Sequence, residues 1–326
     1  MKISQITAIV KSLLLCKMGR KSPCAVSWSL TRKCNAHCVY CGYARNDSDM
    51  DTGKIFKIID QLCAGGVRFI SFTGGEILLR QDIKEIIEYT KAKGVFVKIN
   101  TNGLILKDRI EDVKIVDVIH LSLDGLKDQH DCARGTGTYL KVVEAIETVR
   151  KHNIKLIVNT VISKYNVNHL AGILELCYTY NIKASFQPSR VKVLGEDRLN
   201  FAQPDPQEYK KAILRLLVLK KEKKYKKIIL NSSVGLRHIY HWPHFKAIPC
   251  YAGLSYFRIN SKGLLYNCEE NREKFGVDII KYGFKNALRM LKLTVCSDCW
   301  CAAAVESNFA MNLNIEVLLN YYRKCG

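Results

Sequence analysis

The chain contains 326 residues, of which 51 are Lys or Arg and 30 are Asp or Glu, giving a formal net charge of +21 at pH 7. Its 48% hydrophobic content excludes a disordered chain, and its length excludes a small secreted domain that is held together by disulfides. No uncharged apolar run reaches the roughly 18 residues that a membrane-spanning helix needs. We therefore expect a cytoplasmic protein whose 14 cysteines serve metal binding or redox chemistry.

The N-terminal segment, residues 1–22, is basic and amphipathic. Apolar residues follow a helical spacing and cations flank them: Ile3, Ile6, Ile9, Val10, Leu13 and Leu14, with Lys2, Lys11, Lys17, Arg20 and Lys21. Lys11 interrupts the apolar run and no small-residue cleavage site follows, so a signal peptide is not predicted. We predict a helix that caps the rest of the protein, with contact to the inner membrane surface or docking of a peptide as alternatives.

Residues 23–230 alternate between short apolar strands and longer amphipathic helices. The predicted strands are residues 25–30, 68–72, 96–100, 118–123, 155–162 and 184–187, and the predicted helices are residues 55–63, 83–93, 139–152 and 167–180. Six nearly continuous apolar strands separated by helices predict an α/β protein with a parallel sheet, a partial (β/α)6 TIM-like barrel. Such barrels bind their ligands at the carboxyl ends of the strands.

Residues 231–326 are predicted to form a small α+β, cysteine-rich C-terminal domain. A helix over residues 204–219 and the lysine-rich run 220–227 precede it and mark the boundary. Within it we predict a hairpin from residues 256–259 and 264–267, followed by helices over residues 284–291 and 305–322.

A cysteine-rich loop follows the first predicted strand. Cys34, Cys38 and Cys41 have the spacing C-x3-C-x2-C, and soft thiolate ligands favour iron–sulfur clusters and zinc. Three thiolates leave one iron of a four-iron cluster without a protein ligand, and an open coordination position is typical of a catalytic metal centre. The alternative is a structural zinc site with His37 as the fourth ligand.

This loop and the motifs that follow it resemble the radical S-adenosylmethionine superfamily. The family's order is kept by Phe-Thr-Gly-Gly-Glu at residues 72–76, Asn-Thr-Asn-Gly at 100–103, His-Leu-Ser-Leu-Asp-Gly at 120–125 and Asp-Cys-Ala-Arg-Gly at 131–135. The sequence departs from the family at Ile77, where proline is usual. The resemblance implies that the residues binding S-adenosylmethionine are Tyr40, Thr73, Gly74, Gly75, Glu76, Asn102, Ser122, Asp124 and Arg134.

The resemblance also implies individual roles. Glu76 is expected to hold the ammonium group of the cofactor and Arg134 its carboxylate, because opposite charges and a guanidinium fork suit these groups. Gly74 and Gly75 are expected to let the backbone approach the ligand. The segments that contain Asn102 and Asp124 are expected near the sulfonium and the ribose.

The reaction implied by the family is a reductive cleavage. A reduced [4Fe–4S] cluster gives one electron to the sulfonium of S-adenosylmethionine, the carbon–sulfur bond breaks, and a 5′-deoxyadenosyl radical abstracts a hydrogen atom from the substrate. The expected electron donor is a flavodoxin or a ferredoxin. Beyond the cofactor ligands, the one candidate catalytic residue is Cys132, which lies beside Arg134 in the sequence and is considered as a hydrogen-donating thiol.

A second group of cysteines lies in the C-terminal region. Its spacing, with the predicted hairpin turn at Gly263, resembles the twitch or SPASM extensions of radical S-adenosylmethionine enzymes, which carry auxiliary [4Fe–4S] clusters. The resemblance implies one auxiliary cluster, and zinc is the alternative. The implied ligands are Cys250, Cys268, Cys296 and Cys299, with Cys301 as the alternative to one of them.

The substrate class is not fixed by these motifs. We expect a peptide or a small metabolite, with a lipid or isoprenoid at the membrane surface as the alternative that the N-terminal segment suggests. The hypothesis of an RNA substrate is supported only by the positive charge, and nucleic acid is not the expected partner. A sensor without enzymatic activity has no need of the segments around Glu76 and Arg134.

Overall fold

The computed structural model describes residues 2–43, 47–193, 198–244, 247–268, 276–293 and 299–325, and of 321–325 the backbone alone. The strands in these ranges are β1 (Ala25–Thr31), β2 (Phe69–Gly74), β3 (Phe96–Thr101), β4 (Val118–Ser122), β5 (Leu156–Ile162), β6 (Lys183–Pro188), β7 (Tyr256–Ile259), β8 (Leu264–Tyr266) and β9 (Val277–Asp278). They form a single sheet in the order β6-β5-β4-β3-β2-β1-β7-β8-β9.

The helices cover the outer face of this sheet or its ends. They are α1 (Ile3–Lys17), α2 (Thr52–Ala64), α3 (Ile83–Ala92), α4 (Ile110–Val113), α5 (Lys127–Arg134), α6 (Thr138–Lys151), α7 (Leu170–Thr179), α8 (Pro206–Leu219), α9 (Ser233–Ile239), α10 (Ile279–Tyr282), α11 (Phe284–Met290), α12 (Ala302–Met311) and α13 (Ile315–Cys325), with a 3-10 turn at Ile77–Leu79.

Strands β1 to β6 are parallel neighbours in sequence order, as a partial (β/α)6 barrel requires. The predicted α/β class and barrel are therefore confirmed. Helices α2, α3, α6 and α7 present an apolar stripe to the sheet. On α2, for example, Ile55, Ile59 and Leu62 are buried. The α2 helix begins where Asp51 caps it by accepting a hydrogen bond from the Lys54 N–H.

The two faces of the strands differ in polarity. Val26, Ile70, Val97 and Ile119 point outward and are buried under the helices, whereas alternate positions carry polar side chains that face the barrel interior. The sequence predicted strands that are apolar on both faces. The inner face is instead largely polar, because the open barrel encloses a cavity rather than a packed core.

The C-terminal region continues the barrel sheet. Strand β7 pairs in parallel with β1, so that Ala25 lies opposite Tyr256, and β8 and β9 add two antiparallel strands. The predicted hairpin between β7 and β8 is present, and Gly263 at its turn has φ of +84°. One sheet therefore contains strands from both sides of the domain boundary that was predicted between residues 230 and 231.

Two helical predictions need correction. Residues 305–322 form two helices rather than one, because Leu313 takes a left-handed φ of +61° between α12 and α13. Helix α1 does form within residues 1–22, but it buries Gln5, Ser12 and Cys16 rather than its apolar stripe. Among the described helices, none is both long enough and apolar enough to cross a bilayer.

Candidate functional site

The three cysteines of the C-x3-C-x2-C loop lie just beyond the carboxyl end of β1. The Val39 N–H donates to the Ala133 carbonyl (3.0 Å), and the Cys41 N–H donates to the Cys38 carbonyl (3.0 Å), which folds the loop back on helix α5. The loop is therefore held by backbone hydrogen bonds that do not involve the thiol groups.

Two of the thiols receive hydrogen bonds, one from a side chain that follows β3 and one from the last residue of α5. Asn102 Nδ2 lies 3.8 Å from Cys34 Sγ, and Arg134 Nη1 lies 3.6 Å from Cys38 Sγ. Burial raises the pKa of both thiols, and the Arg134 charge partly offsets this for Cys38. Donors directed at sulfur suit thiolates, so these contacts favour cysteines that bind a metal.

The glycine pair at the end of β2 packs against the cysteine loop. A Cβ atom on Gly74 would lie 2.3 Å from the Thr31 carbonyl oxygen, and one on Gly75 would lie 2.1 Å from that of Lys33. The Gly75 N–H donates to the Thr31 carbonyl (2.9 Å). These glycines thus approach the backbone that precedes Cys34, and the approach to a ligand stays a prediction.

The Glu76 carboxylate is completely buried. Its Oε1 accepts from the Leu78 N–H (3.1 Å) and the Thr101 hydroxyl (2.9 Å), and its Oε2 accepts from the Asn102 N–H (2.7 Å). Burial raises its pKa to about 7 in spite of these three hydrogen bonds. Glu76 therefore fixes the end of β3, a role that the sequence did not predict, and one lone pair of Oε2 remains for a further donor.

Ile77, where the family usually has proline, follows a residue whose backbone conformation would also be compatible with proline. Glu76 is extended, with φ of −119° and ψ of 109°, which is the conformation that a residue before proline adopts. Ile77 itself is fully buried in the core. Its side chain contributes packing at a position where the family has a rigid ring.

Asp124 connects three elements at the end of β4. Its Oδ1 accepts from the Val161 N–H (2.8 Å), and its Oδ2 accepts from the Tyr40 hydroxyl and from Arg134 Nε (2.7 Å). Burial raises the Tyr40 pKa well above its usual value. Burial disfavours the Arg134 charge, but Asp124, Tyr40 and Cys38 together outweigh this and raise the Arg134 pKa.

Both oxygens of Asp124 thus accept hydrogen bonds from protein groups, and the cofactor contact of this residue stays a prediction. Among the described residues, Arg134 directs only two of its five N–H groups at partners, namely Asp124 and Cys38. The remaining donors of its guanidinium suit a carboxylate.

A polar cavity of about 290 Å³ occupies the centre of the barrel. Of the predicted cofactor residues, Thr73 lines it, whereas the half-buried Ser122 is not among its lining residues. The lining also contains Asn100 and His120, which begin two of the motifs named above, and four side chains that the sequence did not single out: Lys98, Asn159, Gln187 and Arg258. Polar residues at alternate positions of β3 and β4 were the signal that could have revealed them.

The polar lining is internally hydrogen bonded. Asn100 Nδ2 donates to Ser71 Oγ (3.0 Å), and Asn159 Nδ2 lies 3.0 Å from His120 Nδ1. Helix α12 closes the cavity between β6 and β7, where the Ala302 N–H points at Gln187 Oε1 (3.4 Å). The C-terminal region therefore supplies one wall of the barrel interior.

Cys132 does not reach this cavity. It is exposed on α5, because the helix turns Ala133 and Arg134 inward and leaves Cys132 on the solvent side. The position of Cys132 therefore does not support the predicted donation of a hydrogen atom to a substrate in this cavity.

Three cysteines of the C-terminal group lie around Tyr256. The Tyr256 hydroxyl lies 4.0 Å from Cys250 Sγ, and burial together with the charges of Cys250, Cys268 and Cys299 raises the Tyr256 pKa well above its usual value. Asn308 of α12 accepts from the same hydroxyl (3.2 Å). Cys296 lies outside the described residues.

Cys301 has a different environment. It lines the central cavity, and Arg258 Nη2 lies 3.8 Å from its sulfur while Arg258 Nη1 donates to Ser27 Oγ (3.0 Å). Arg258 also interacts electrostatically with Cys268 and Tyr256, and Tyr256 lines the same cavity, so Cys299 and Cys301 both remain candidate ligands of an auxiliary cluster.

The residues of the cysteine loop fit a multi-iron cluster better than a single ion. Within the part of the chain that the structure describes, no three His, Cys, Asp or Glu side chains converge as ligands of one metal ion. His37, the proposed fourth zinc ligand, is exposed. A cubane spreads its thiolates over separate iron atoms and needs no such convergence.

The surrounding groups also fit the amino acid part of S-adenosylmethionine. A buried carboxylate with a raised pKa (Glu76) and a guanidinium with unused donors (Arg134) stand near the cysteine loop. An ammonium group would offset the burial of the first, and a carboxylate would accept hydrogen bonds from the second.

Comparison with known proteins agrees with this geometry. The chain is 33% identical to Fe-coproporphyrin III synthase of Methanosarcina barkeri over 168 residues, covering 48% of this chain and 41% of that protein. It is 29% identical to mycofactocin maturase MftC of Mycobacterium ulcerans over 198 residues, covering 58% and 53%. The chain thus spans about half the length of these curated relatives.

A solved structure shares the fold. Streptococcus suis SuiB bound to its precursor peptide SuiA superposes with a TM-score of 0.68 at 16% identity, covering 86% of this chain and 67% of that one. Residues 28–177 match the Radical SAM superfamily, whose members are enzymes that use a [4Fe–4S] cluster and S-adenosylmethionine. The stretch from β1 into α7, which contains the cysteine loop, is therefore the part of the chain that is similar to this superfamily.

Proposed function

We propose that this protein is a radical SAM enzyme that modifies a peptide. The observation that carries the proposal is the cavity inside the barrel, whose lining includes Thr73, the residue before the two glycines that pack against the cysteine loop. Its walls carry carboxamide side chains, Asn100, Asn159 and Gln187, whose paired donors and acceptors match the amide groups of a peptide backbone.

Cys34, Cys38 and Cys41 would hold the catalytic cluster, and Arg134 and Glu76 would orient the cofactor through its carboxylate and ammonium groups. When bound, the cluster and S-adenosylmethionine together supply the one-electron cleavage that yields a 5′-deoxyadenosyl radical able to remove hydrogen from a substrate. The chain itself contributes enclosure, because α12 closes the barrel wall and limits access of water to the cavity.

The peptide class is supported by two relatives. One curated relative is a maturase, and the SuiB structure contains a precursor peptide. The other curated relative is named as a synthase of a coproporphyrin, so likeness in the barrel does not by itself select the substrate. A small metabolite is therefore the second candidate within the same chemistry, and a flavodoxin or ferredoxin is the electron donor we propose for either.

We further propose that Cys250, Cys268, Cys296 and Cys299 bind one auxiliary [4Fe–4S] cluster. The support is the grouping of Cys250, Cys268 and Cys299 around Tyr256. The grouping lies at the strand, β7, that also carries Arg258 into the central cavity, so a cluster there would border the substrate space.

A lipid or isoprenoid substrate is favoured by one observation, the outward apolar face of α1. However, the α1 side chains bond to Ser22 and Gly94, which precede β1 and β3, whereas the cysteine loop follows β1. A lipid held at α1 would thus meet the barrel at the end opposite to the cysteine loop. An RNA substrate is supported only by the net charge of +21.

The experiment is an anaerobic assay of reduced, iron-reconstituted protein with S-adenosylmethionine. We expect release of 5′-deoxyadenosine, a loss of about 100-fold or more in Cys38→Ser, and little change in Cys132→Ser, which alters an exposed thiol. Deuterium transfer from a labelled precursor peptide into 5′-deoxyadenosine would identify the substrate class. Wild-type protein that binds iron but releases no 5′-deoxyadenosine would contradict the proposed chemistry.

A further inference from the structure

Helix α1 attaches to the body of the protein through polar side chains. Ser12, on its inner face, donates to the Ser22 carbonyl (2.5 Å) and to the Ser255 hydroxyl (3.1 Å), and Gln5 Nε2 points at the Gly94 carbonyl (3.4 Å). Gln5, Ser12 and Cys16 are the buried residues of the helix. An amphipathic helix on a protein surface normally buries its apolar face. Helix α1 packs the half-buried Leu13 on the cluster of Cys16, Tyr251 and Met311, but it turns most of its apolar stripe outward.

The outer face of α1 is apolar and open. Five large side chains, spaced three or four residues apart, are between 49% and 82% exposed: Ile3, Ile6, Val10, Leu14 and Met18. Residues of the same face line a shallow apolar surface, to which Leu15 also contributes. Such a continuous stripe differs from scattered surface leucines and marks a binding face.

The charge around this face selects its partner. Residues 1–21 contain five Lys or Arg and no Asp or Glu, and the first acidic residue of the chain is Asp47. Lys21 is used internally, because its Nζ donates to the Leu288 carbonyl (2.7 Å). Lys2, Lys11, Lys17 and Arg20 remain at the surface of the helix region.

We propose that α1 is an interfacial helix that binds the surface of an anionic lipid bilayer, with its apolar stripe in the headgroup–acyl boundary and its lysines at the lipid phosphates. Basic amphipathic helices bind membranes in this way, by apolar burial together with attraction to anionic lipid. A second copy of the chain is a poorer partner, because two such helices would bring like charges together.

The position of α1 sets the orientation of the enzyme on the membrane. Ser22 and Ser255 immediately precede strands β1 and β7, so α1 lies at the amino ends of the strands, whereas the cysteine loop follows the carboxyl end of β1. A strand of seven residues is about 20 Å long. The bound protein would therefore keep its cofactor site away from the bilayer, facing a water-soluble substrate, and the inference does not depend on what that substrate is.

The test is co-sedimentation of the full-length protein with vesicles of equal parts phosphatidylcholine and phosphatidylglycerol at low salt. We expect the wild type to bind, and we expect binding to weaken about tenfold in the double variant Val10→Asp/Leu14→Asp and about tenfold in Lys11→Glu. Binding of the wild type should also weaken on vesicles of phosphatidylcholine alone. The matched control is Leu214→Asp/Val218→Asp on α8, a pair with the same spacing and similar exposure, which should bind as the wild type does.

Three results would overturn the proposal. The first is wild-type protein that stays in the supernatant at low salt while circular dichroism shows it folded. The second is equal loss of binding in the α8 control, which would indicate a nonspecific effect of added negative charge. The third is a dimer in sedimentation equilibrium without lipid that dissociates in Val10→Asp/Leu14→Asp, which would assign the face to a second copy.

Discussion

The Arg134 guanidinium and the Asp124 carboxylate form a buried ion pair, with Nε 2.7 Å from Oδ2, beside the cysteine loop. The same carboxylate accepts a hydrogen bond from Tyr40 within that loop. Asp124 therefore links the loop, helix α5 and the end of β4, and it orients the guanidinium whose Nη1 reaches Cys38.

The first prediction concerns this pair. Asp124→Asn should lower the free energy of unfolding by about 3 kcal/mol, because it leaves the Arg134 charge buried without its partner. Urea denaturation followed by circular dichroism measures the change. The control is Glu144→Gln, which breaks the exposed pair with Lys107 (3.3 Å) and should cost less than about 1 kcal/mol. Equal effects of the two substitutions would contradict the assignment of Asp124 as a buried connection.

The second prediction concerns the contact between β2 and the cysteine loop. Gly75→Ala places a Cβ 2.1 Å from the Lys33 carbonyl oxygen, which is backbone and cannot move aside cheaply. We expect the loop to shift and the iron content after reconstitution to fall by about half or more, with the helix content unchanged.

The matched control for this change is Gly53→Ala, whose Cβ meets only the Asp51 carboxylate, at 3.1 Å. It should retain the wild-type iron content. A Gly75→Ala protein that takes up iron normally would show that the loop tolerates displacement from β2.

The sequence was sufficient to predict those elements that depend on residues close together in the chain. Strands and helices of the barrel follow from periodicity, and the cysteine loop follows from the spacing of Cys34, Cys38 and Cys41 after an apolar strand. The pairing of Ala25 with Tyr256 could not be predicted, because it joins positions more than two hundred residues apart and leaves no local pattern.

The site residues illustrate the same limit. The sequence identified Glu76 and Gly75 as site residues but did not predict the protein groups that they contact, since residue type does not indicate which partner a residue meets. The orientation of α1 on the protein also could not be predicted from the sequence. Periodicity shows which face of a helix is apolar, whereas the side that contacts the protein was decided by hydrogen bonds of Ser12 to distant residues.

The third prediction is a pair of opposing pH effects in the cluster-free protein. Burial raises the Glu76 pKa to about 7, above its unfolded value of 4.5, so the native state binds this proton more tightly and the free energy of unfolding falls as pH rises from 4.5 to 7. Burial, with the Arg134 charge, lowers the His130 pKa from 6.5 to about 4, so its contribution rises as pH rises from 4 to 6.5.

Each of these terms amounts to about 3 kcal/mol over its full range, and they oppose one another between pH 4.5 and 6.5. Glu76→Gln should therefore make the protein gain stability with pH more steeply than the wild type, and His130→Gln should make it lose stability more steeply. Urea midpoints measured across this range test both. Parallel curves for wild type and variants would show that neither group titrates as the structure indicates.

The fourth prediction separates the two candidate ligands of the auxiliary cluster. In a Cys34/Cys38/Cys41→Ala background the catalytic cluster is absent, and about four irons per chain should remain if the C-terminal cysteines bind a cubane. Adding Cys299→Ser should remove this iron, because Cys299 lies with Cys250 and Cys268 around Tyr256. Adding Cys301→Ser should leave it, because Cys301 faces Arg258 in the central cavity.

Elemental analysis and absorption near the iron–sulfur charge-transfer bands provide the measurement, and Cys132→Ser in the same background is the control for loss of an exposed thiol. One equivalent of zinc in place of iron would assign the group to a structural zinc site. Loss of all metal in the triple variant would exclude an auxiliary centre, and loss caused by Cys301→Ser but not by Cys299→Ser would reverse the ligand assignment. Retention of the iron in Cys301→Ser would show that the Cys301 thiol is not a cluster ligand. In the wild type this thiol would then be able to contact the substrate, because it lies in the wall of the cavity that the C-terminal region builds.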